Sequence, residues 1–443
     1  MTGRHIAVVG GGYSGTIQAI GLLRHSSARV TLIERTSRLA RGAAYSTRRP
    51  EHLLNVRASK MSAFADSPAH FAEWLAKRGS ADASSFAERR LYGAYLEELL
   101  GEAALEAGDR LQIVEGAAVA ITRQGEGEAV RLASGATLSA DAVILSIGNL
   151  PPNVPATIPS DLAPGVFVAN PWADDIAAGL SAPDRVLLIG TGLTAIDAAL
   201  TLEATGFEGA ITAISRRGMV PRPHDRKPID VPVLGERPYG GLAEMTRRVR
   251  SNARRMNWQA AVDQLRPHTQ ALWASAPPER RKRFLRHLRP YWDVHRHRIA
   301  PEIGDRIETM QSQSRLSFEA GKLVSITADD AGAQVTWRRR GAAGTEELSV
   351  ARIVNCTGPR GDVTRSGEPL LDQLAGQGRI RPDPCRIGID IDEHCRAVGK
   401  DGTPAASLFA IGPMTRGALW EVVAVPDIRV QTDKLAREIG ASF

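Results

Sequence analysis

The residues Ile6-Ala7-Val8-Val9-Gly10-Gly11-Gly12-Tyr13-Ser14-Gly15 decide the fold. The first four form a short apolar run, which is typical of a parallel strand that is buried on both faces. The glycines at 10, 12 and 15 then have the spacing G-x-G-x-x-G. In this pattern the first permits a tight turn, the second lets the backbone approach a pyrophosphate, and the third lets helix and strand pack closely. The stretch therefore predicts a strand, a phosphate-binding turn and a helix.

A helix, a second strand and an acidic residue complete the unit. The segment from Thr16 to Leu23 is rich in apolar residues, and Arg29 to Ile33 reads as the next strand, which ends at Glu34. Glu34 follows Gly15 by nineteen residues, a position from which a carboxylate binds an adenosine ribose. A pyrophosphate would lie at the helix N-terminus, where free N–H groups favour anions. We predict a first dinucleotide site formed by Gly10, Gly12, Tyr13, Ser14, Gly15, Glu34 and Arg35.

The same unit recurs near the middle of the chain. The strand 185–189 precedes Gly190-Thr191-Gly192-Leu193-Thr194-Ala195, in which Ala replaces the third glycine, a tolerated variant. The following strand, 210–214, ends in Ser215-Arg216-Arg217, where an acid would bind a free ribose hydroxyl. Arginine there suits a 2′-phosphate, which favours NADPH and leaves NADH possible. The second dinucleotide site is predicted to comprise Gly190, Gly192, Leu193, Thr194, Ser215, Arg216 and Arg217.

Two dinucleotide sites on one chain indicate two cofactors, FAD in the first and a nicotinamide hydride donor in the second. Three further strands end in glycine, at Gly148, Gly358 and Gly412, and each of these glycines is a candidate cofactor contact. The fold class is α/β, with two Rossmann-like dinucleotide-binding domains and a helical insertion. We predict an FAD-binding domain from 1–178 and 351–443, and an NAD(P)H-binding domain from 179–350. The insertion, at about 235–312, has apolar residues at helical spacing, and a hairpin is expected within 324–350.

Composition limits the remaining possibilities. Three cysteines in 443 residues show no spacing of a zinc site and cannot form a disulfide framework, so no metal is expected and the cytoplasm is the expected location. No segment predicts a signal peptide or a membrane helix. The net charge of +7 is local, because fourteen Lys+Arg and three Asp+Glu between Arg247 and Arg298 give that stretch +11. This stretch contains no nucleic-acid motif, and it indicates a solvated or homo-oligomer surface, or a region that steers anions.

Several motifs resemble a known family. The chain is similar to the bacterial FAD/NAD(P)-binding oxidoreductases of the YdhS type, and more distantly to the two-dinucleotide flavin monooxygenases (class B and N-hydroxylating). The resemblance rests on motifs that span nearly the whole chain: 9–15, 42–46, 52–56, 190–194, 214–218, 292–298 and 420–421. It implies both cofactors and an NAD(P)H-consuming monooxygenase that hydroxylates a small molecule with O2 through a flavin C4a-(hydro)peroxide.

Other activities remain open. A flavin-dependent dehydrogenase or NAD(P)H oxidase, or a non-catalytic nicotinamide-sensing flavoprotein that binds an acidic partner, would also suit the two sites. Asn55 is placed where a loop could approach the flavin ring, although it equally suits an ordinary turn. His52 is a candidate general base or a buried structural residue. Trp420 and Glu421 could wall the flavin and bind substrate, or form a buried tryptophan with a capping acid.

Overall fold

A computed structural model describes residues 3–80, 82–172, 175–227, 231–232, 234, 240–330 and 332–441. The strands are β1 His5–Val9, β2 Arg29–Glu34, β3 Leu111–Glu115, β4 Ala118–Gln124, β5 Gly127–Leu132, β6 Thr137–Ala140, β7 Ala142–Leu145, β8 Phe167–Val168, β9 Arg185–Ile189, β10 Ala210–Ser215, β11 Leu316–Asp329, β12 Gly332–Arg339, β13 Glu346–Val350, β14 Arg352–Asn355, β15 Arg396–Val398 and β16 Pro404–Ala410. The helices are α1 Tyr13–His25, α2 Gly42–Tyr45, α3 His70–Ala76, α4 Arg89–Ala107, α5 Leu193–Ala204, α6 Leu242–Arg255, α7 Trp258–Asp263, α8 Thr269–Ala274, α9 Pro278–His287, α10 Arg289–Arg296, α11 Pro301–Ser312, α12 Pro369–Gly376 and α13 Val425–Ala441.

The first sheet has the strand order β15-β16-β7-β1-β2-β3. The apolar run 6–9 forms β1, is at most 5% exposed, and pairs in parallel with β2 on one side and β7 on the other. Helix α1 packs against α13, where Gly21 brings the two helices so close that a Cβ there would lie 3.1 Å from Ala436. Because the chain runs from β1 to β2 and β3 on one side and later returns to β7 on the other side of β1, a crevice opens at the carboxyl ends of these strands.

The second sheet repeats this arrangement, with the strand order β13-β12-β11-β10-β9-β14-β8. Strand β9 lies between β10 and β14 and is parallel to both. Strands β12 and β13 form the antiparallel hairpin expected within 324–350. The predicted boundaries assigned β8 and β14 to the FAD-binding domain, but both strands extend the second sheet, since they pair with each other and β14 pairs with β9.

Six helices, α6 to α11, occupy the region predicted as a helical insertion. Its predicted first residue, Gly235, lies outside the described residues. Chain direction changes between α9 and α10, where Pro290 occupies the first turn of α10, so the apolar stripe of the sequence is shared by two helices. In the part of the chain that the structure describes, no helix is both long and apolar enough to cross a membrane.

The two sheets are joined by a buried ion pair. Arg89, at the start of α4, pairs with Asp197 of α5 at 2.9 Å, and both side chains are largely buried. The Nε of Arg89 also donates to the Leu53 carbonyl at 3.0 Å. A second link comes from His224, whose ring nitrogen lies 3.1 Å from the carbonyl oxygen of Asn55. The loop around residues 52–56 is therefore tied to both halves of the molecule.

Candidate functional site

The first dinucleotide site has a backbone that only glycine fits. Gly10 adopts a φ of +104°, and a Cβ there would lie 2.5 Å from the Ser146 carbonyl oxygen. A Cβ at Gly15 would lie 1.8 Å from the carbonyl oxygen of Gly10. Because these positions carry no side chain, the turn packs against the residue that follows β7, and α1 lies close to β1, as the motif predicts.

The N-terminus of α1 is open to a ligand. Its N-cap is Gly12, which has no capping side chain, so the first-turn N–H groups have no acceptor within the helix. A Cβ at Gly12 would lie 3.2 Å from the Gly42 Cα, which leaves a narrow approach between the two glycines. Tyr13 and Ser14 begin the helix and are buried. This arrangement fits a pyrophosphate.

Glu34 lies at the end of β2, beside this helix. One carboxylate oxygen accepts the N–H of Gly11 at 2.7 Å, and the other accepts the N–H and hydroxyl of Thr36 at 3.1 Å each. A carboxylate has about four acceptor positions, so one remains for a ribose hydroxyl. Arg35 pairs with Glu368 at 3.1 Å and stays exposed.

A cavity of about 790 Å³ lies above these residues. Gly10, Gly12, Glu34, Arg35 and Gly148 line it, together with His52. Its other walls come from segments that the sequence analysis did not select, namely 46–49, 116–119, 170–172 and 368–371. The cavity volume is within the usual range for ligand pockets of about 300–1,000 Å³.

The second dinucleotide site repeats the turn of the first. Gly190 has a φ of +123°, and a Cβ there would lie 2.4 Å from the Cys356 carbonyl oxygen. Gly192 caps α5 without a side-chain hydrogen bond, and Leu193 and Thr194 form the first turn. A Cβ at Gly192 would meet no protein atom within 4 Å, and its φ of −84° is open to any residue. The protein itself therefore gives no steric reason for glycine at this position.

The three residues after β10 differ in their contacts. The Ser215 hydroxyl lies 2.8 Å from that of Thr191 and accepts the N–H of Gly218. Arg217 donates to two carbonyls of α9, at 3.2 and 3.4 Å. Arg216 is exposed and has no hydrogen bond or ion pair to any residue that the structure describes. Of the two arginines, Arg216 is the one free to meet a phosphate.

The other glycines predicted as contacts lie at strand ends. Gly148 and Gly358 have φ values of +68° and +83° and open space at the Cβ position. The segments that contain them run side by side, since Pro152 and Pro359 form an antiparallel bridge. Gly412 has its N–H bonded to Gln431 at 2.8 Å, and a Cβ there would meet the hydroxyl of Ser14 at 2.6 Å.

His52 and Asn55 are placed at the junction of the two halves. Nδ1 of His52 lies 2.8 Å from the Thr47 hydroxyl, and Nε2 lies 3.0 Å from the Thr201 hydroxyl. Burial lowers the pKa of His52, which favours the neutral ring. Both ring nitrogens thus have hydroxyl partners within the protein, which suits a buried structural residue, and a role of His52 as a general base stays a prediction. Asn55 is half-buried and lies outside the linings of the large cavity and of the smaller one described next.

A smaller cavity of about 230 Å³, the central cavity, separates the start of α5 from α10 and the segment 416–423. Trp420 lines it and stacks on Trp273 of α8, with ring centroids 4.5 Å apart. Gly192 and Leu193 form its opposite end. The central cavity therefore reaches from the second dinucleotide site to the C-terminal part of the chain.

Glu421 lines the central cavity and has an unusual backbone, with φ of +73°. Its carboxylate accepts the indole N–H of Trp292 at 2.8 Å and pairs with Arg296 at 3.0 Å. Burial by itself would raise the pKa of Glu421, yet the neighbouring His297 and Arg296 hold that pKa below its usual value. The carboxylate predicted to contact a cofactor thus fastens the insertion to the C-terminal segment.

Comparison with known proteins covers the first third of the chain. Residues 7–150 match an FAD-NAD(P)-binding family. Over these residues the chain is similar to an FAD-NAD(P)-binding domain. Its bare helix N-terminus, glycine-lined turn and Glu34 at the end of β2 fit such a ligand. No curated protein matched the sequence significantly.

Solved structures of similar fold extend over the whole chain. The reduced ornithine hydroxylase of Pseudomonas aeruginosa superposes with a TM-score of 0.68 at 17% identity, covering 99% of both chains. The ornithine N-hydroxylase of Kutzneria sp. 744, solved with reduced FAD, NADP⁺ and L-ornithine, gives 0.69 at 16%, with the same coverage. The bacillithiol disulfide reductase of Staphylococcus aureus gives 0.61 at 14%, covering 100% of this chain and 99% of that one. Together they show that the whole chain has the fold of flavoproteins with two dinucleotide-binding domains.

Two residues of the central cavity, Arg289 and Arg416, were not selected by the sequence analysis. Arg416 lies four residues after Gly412, in a segment that was recognised for its glycines and tryptophan. Arg289 is one of fourteen basic residues between Arg247 and Arg298, so its position in the sequence does not distinguish it from those that face solvent.

Proposed function

We propose that the protein is an FAD-dependent, NAD(P)H-consuming monooxygenase that hydroxylates a small molecule. The observation that carries this proposal is the central cavity, which begins at the helix N-terminus of the second dinucleotide site and ends at Trp420 in the segment that follows Gly412. A small cavity that joins the second dinucleotide site to the C-terminal segment is where a hydride donor, a flavin and a substrate would meet.

Each cofactor would have its own residues. The turn from Gly10 to Gly15 and Glu34 would hold FAD, while Gly190 to Thr194 would hold NAD(P)H, with Arg216 at the 2′-phosphate. When bound, FAD supplies the electron transfer and the activation of O2. The chain itself would position the cofactors and the substrate and would keep water away from them. The stacked rings of Trp273, Trp420 and the neighbouring Phe284 form an apolar wall that limits access of water.

A disulfide reductase is the main alternative, because one of the similar structures has that activity. Such an enzyme needs an accessible thiolate beside the flavin. The three cysteines are free, two of them are buried, and burial raises the pKa of all three thiols. None of them lines the central cavity or the large cavity. These observations favour the monooxygenase.

The test is a turnover experiment on the purified, FAD-loaded protein. NADPH oxidation is measured with amines, purines, thioethers and carboxylates, and each product is examined for a mass gain of one oxygen atom. A product that gains one oxygen from ¹⁸O2 supports the proposal. Disulfide reduction without oxygen incorporation would support the reductase, and absence of flavin reduction by either nicotinamide would refute both.

A further inference from the structure

The central cavity contains one cation that the protein does not neutralise. Arg416 lines the cavity and is largely buried, and its Nε donates to the Ile387 carbonyl at 2.8 Å. Its two terminal nitrogens have no hydrogen-bond acceptor, and the side chain has no ion pair, among the residues that the structure describes. Burial lowers the pKa of Arg416 to about 10, with the nearby Arg289 acting in the same direction, so the guanidinium is still charged at neutral pH. The edge of a charged guanidinium is therefore left for a ligand.

Asp383, the acid whose charge acts most strongly on Arg416, is held by other partners. Asp383 raises the pKa of Arg416 by its charge, but its own carboxylate accepts the N–H groups of Cys385, Ile387 and Gly388, each at 2.7 Å. Asp383 is also walled in by Gly417, where a Cβ would lie 2.1 Å from the carboxyl carbon. This carboxylate is fixed in its turn and does not reach into the cavity.

The other charged groups of the cavity are already paired. Arg289 binds Asp293 at 3.2 Å, one helical turn away. Glu421 is neutralised by Arg296, as described above. His297 also lies beside Glu421, with Nε2 3.7 Å from its carboxylate, and burial lowers the pKa of His297 although the charge of Glu421 opposes this. After these pairs are counted, Arg416 is the charged group lining the cavity that has no carboxylate partner among the described residues.

We propose that the central cavity is the substrate pocket and that it selects small monoanions, carboxylates above all, by pairing them with the free edge of Arg416. The assignment of the anion as a substrate rests on the proposed function, whereas the presence of an anion site at Arg416 does not. A carboxylate accepts two parallel N–H bonds from a guanidinium, which gives orientation as well as affinity. The volume of about 230 Å³ is below that of pockets for drug-sized ligands, which suits a small anion. The apolar wall of Leu193, Val294 and Trp420 would hold the uncharged part of the molecule.

A phosphate of the nicotinamide cofactor is the other possible source of the anion, because Gly192 and Leu193 close one end of the cavity. The two sources predict different effects of the same variant. If Arg416 binds a substrate carboxylate, Arg416→Gln weakens carboxylate binding and leaves NADP⁺ binding unchanged. If Arg416 binds the cofactor, Arg416→Gln weakens NADP⁺ binding and leaves carboxylate binding unchanged.

The experiment is a calorimetric titration of the FAD-loaded protein, without NADPH, with propionate, benzoate and phenylacetate and with the neutral amide of each. NADP⁺ binding to each variant is measured in a separate titration. We expect at least one acid to bind at least tenfold more tightly than its amide, and Arg416→Gln to remove this preference while Arg416→Lys keeps part of it. Arg280→Gln, which removes one exposed charge from α9 outside the cavity, should keep the full preference. FAD content and melting temperature show that each variant is folded.

Three outcomes would overturn the inference: equal binding of every acid and amide, a preference that survives Arg416→Gln, or a loss confined to NADP⁺. Failure of the proposed function is seen separately, in stopped-flow reduction of the flavin by NADPH. A protein that binds carboxylates through Arg416 but whose flavin is not reduced keeps the anion site and loses the monooxygenase assignment.

Discussion

Replacing Gly192 by alanine should weaken binding of the nicotinamide cofactor at the second dinucleotide site while leaving the fold intact. The added Cβ would meet no protein atom within 4 Å, and the backbone has an ordinary φ of −84°. Gly→Ala at an ordinary φ gains about 0.4–1 kcal/mol through the unfolded chain, and this gain offsets the poorer N-capping of alanine at the start of α5. A pyrophosphate held by the N–H groups of Leu193 and Thr194 would instead meet the new methyl group and lose one charge-assisted hydrogen bond. That loss costs about 1.5–3 kcal/mol, which is roughly 10- to 150-fold in affinity.

The assay compares three measurements on one variant. Gly192→Ala should keep its FAD, should melt at the same or a slightly higher temperature, and should show a KM for NADPH raised at least tenfold. Gly101→Ala, in α4, is the matched control, because it also has open space and should affect neither cofactor. An unchanged KM in a stable Gly192→Ala protein would refute the placement of the nicotinamide cofactor at α5.

The remaining predictions concern other positions. Gly15→Ala should abolish FAD binding, because its Cβ would lie 1.8 Å from a backbone oxygen; retention of FAD in a folded variant would contradict this. Arg216→Gln should raise the KM for NADPH about tenfold and leave that for NADH unchanged, and an equal effect on both would mean that Arg216 does not contact the 2′-phosphate. Burial lowers the pKa of His224 to about 4, below its unfolded value, so wild type should lose up to about 3 kcal/mol of stability as pH falls from 6.5 to 4. This slope should be smaller in His224→Gln, as measured by urea unfolding at each pH. Asp197→Asn should cost about 3 kcal/mol by leaving Arg89 buried without its partner, and Arg89→Met/Asp197→Leu should recover part of it in the same assay.

The sequence predicts the two dinucleotide units well because their physics is local. Strand, glycine turn and helix follow one another within about twenty residues, and each glycine has a steric reason that a single chain segment supplies. β1, β9, α1 and α5 accordingly lie where the motifs predict them. The α/β fold class is confirmed for the same reason, and the FAD-NAD(P)-binding family match covers the first unit.

The central cavity is different, because it is assembled from segments far apart in the chain. Arg289 and Arg416 lie 127 positions apart, and only tertiary packing brings them to one space. The predicted domain boundaries divide the strands of the second sheet for the same reason, since β8 is a strand of two residues that pairs with β14. The cofactor contact of Glu421 stays a prediction. Its observed partners, Trp292 and Arg296, belong to an insertion whose packing no local pattern reveals.

The ion pair between Arg89 and Asp197 has a consequence for how the molecule unfolds. A chain whose two large sheets have separate hydrophobic cores would ordinarily melt in two steps, with one unit outlasting the other. Here the core of the second unit includes Phe86, from a segment of the first, so neither unit opens without exposing part of the other. Heat should therefore produce one cooperative transition, and FAD bound at Gly10 to Gly15 should raise the melting temperature of the distant hairpin formed by β12 and β13 as well.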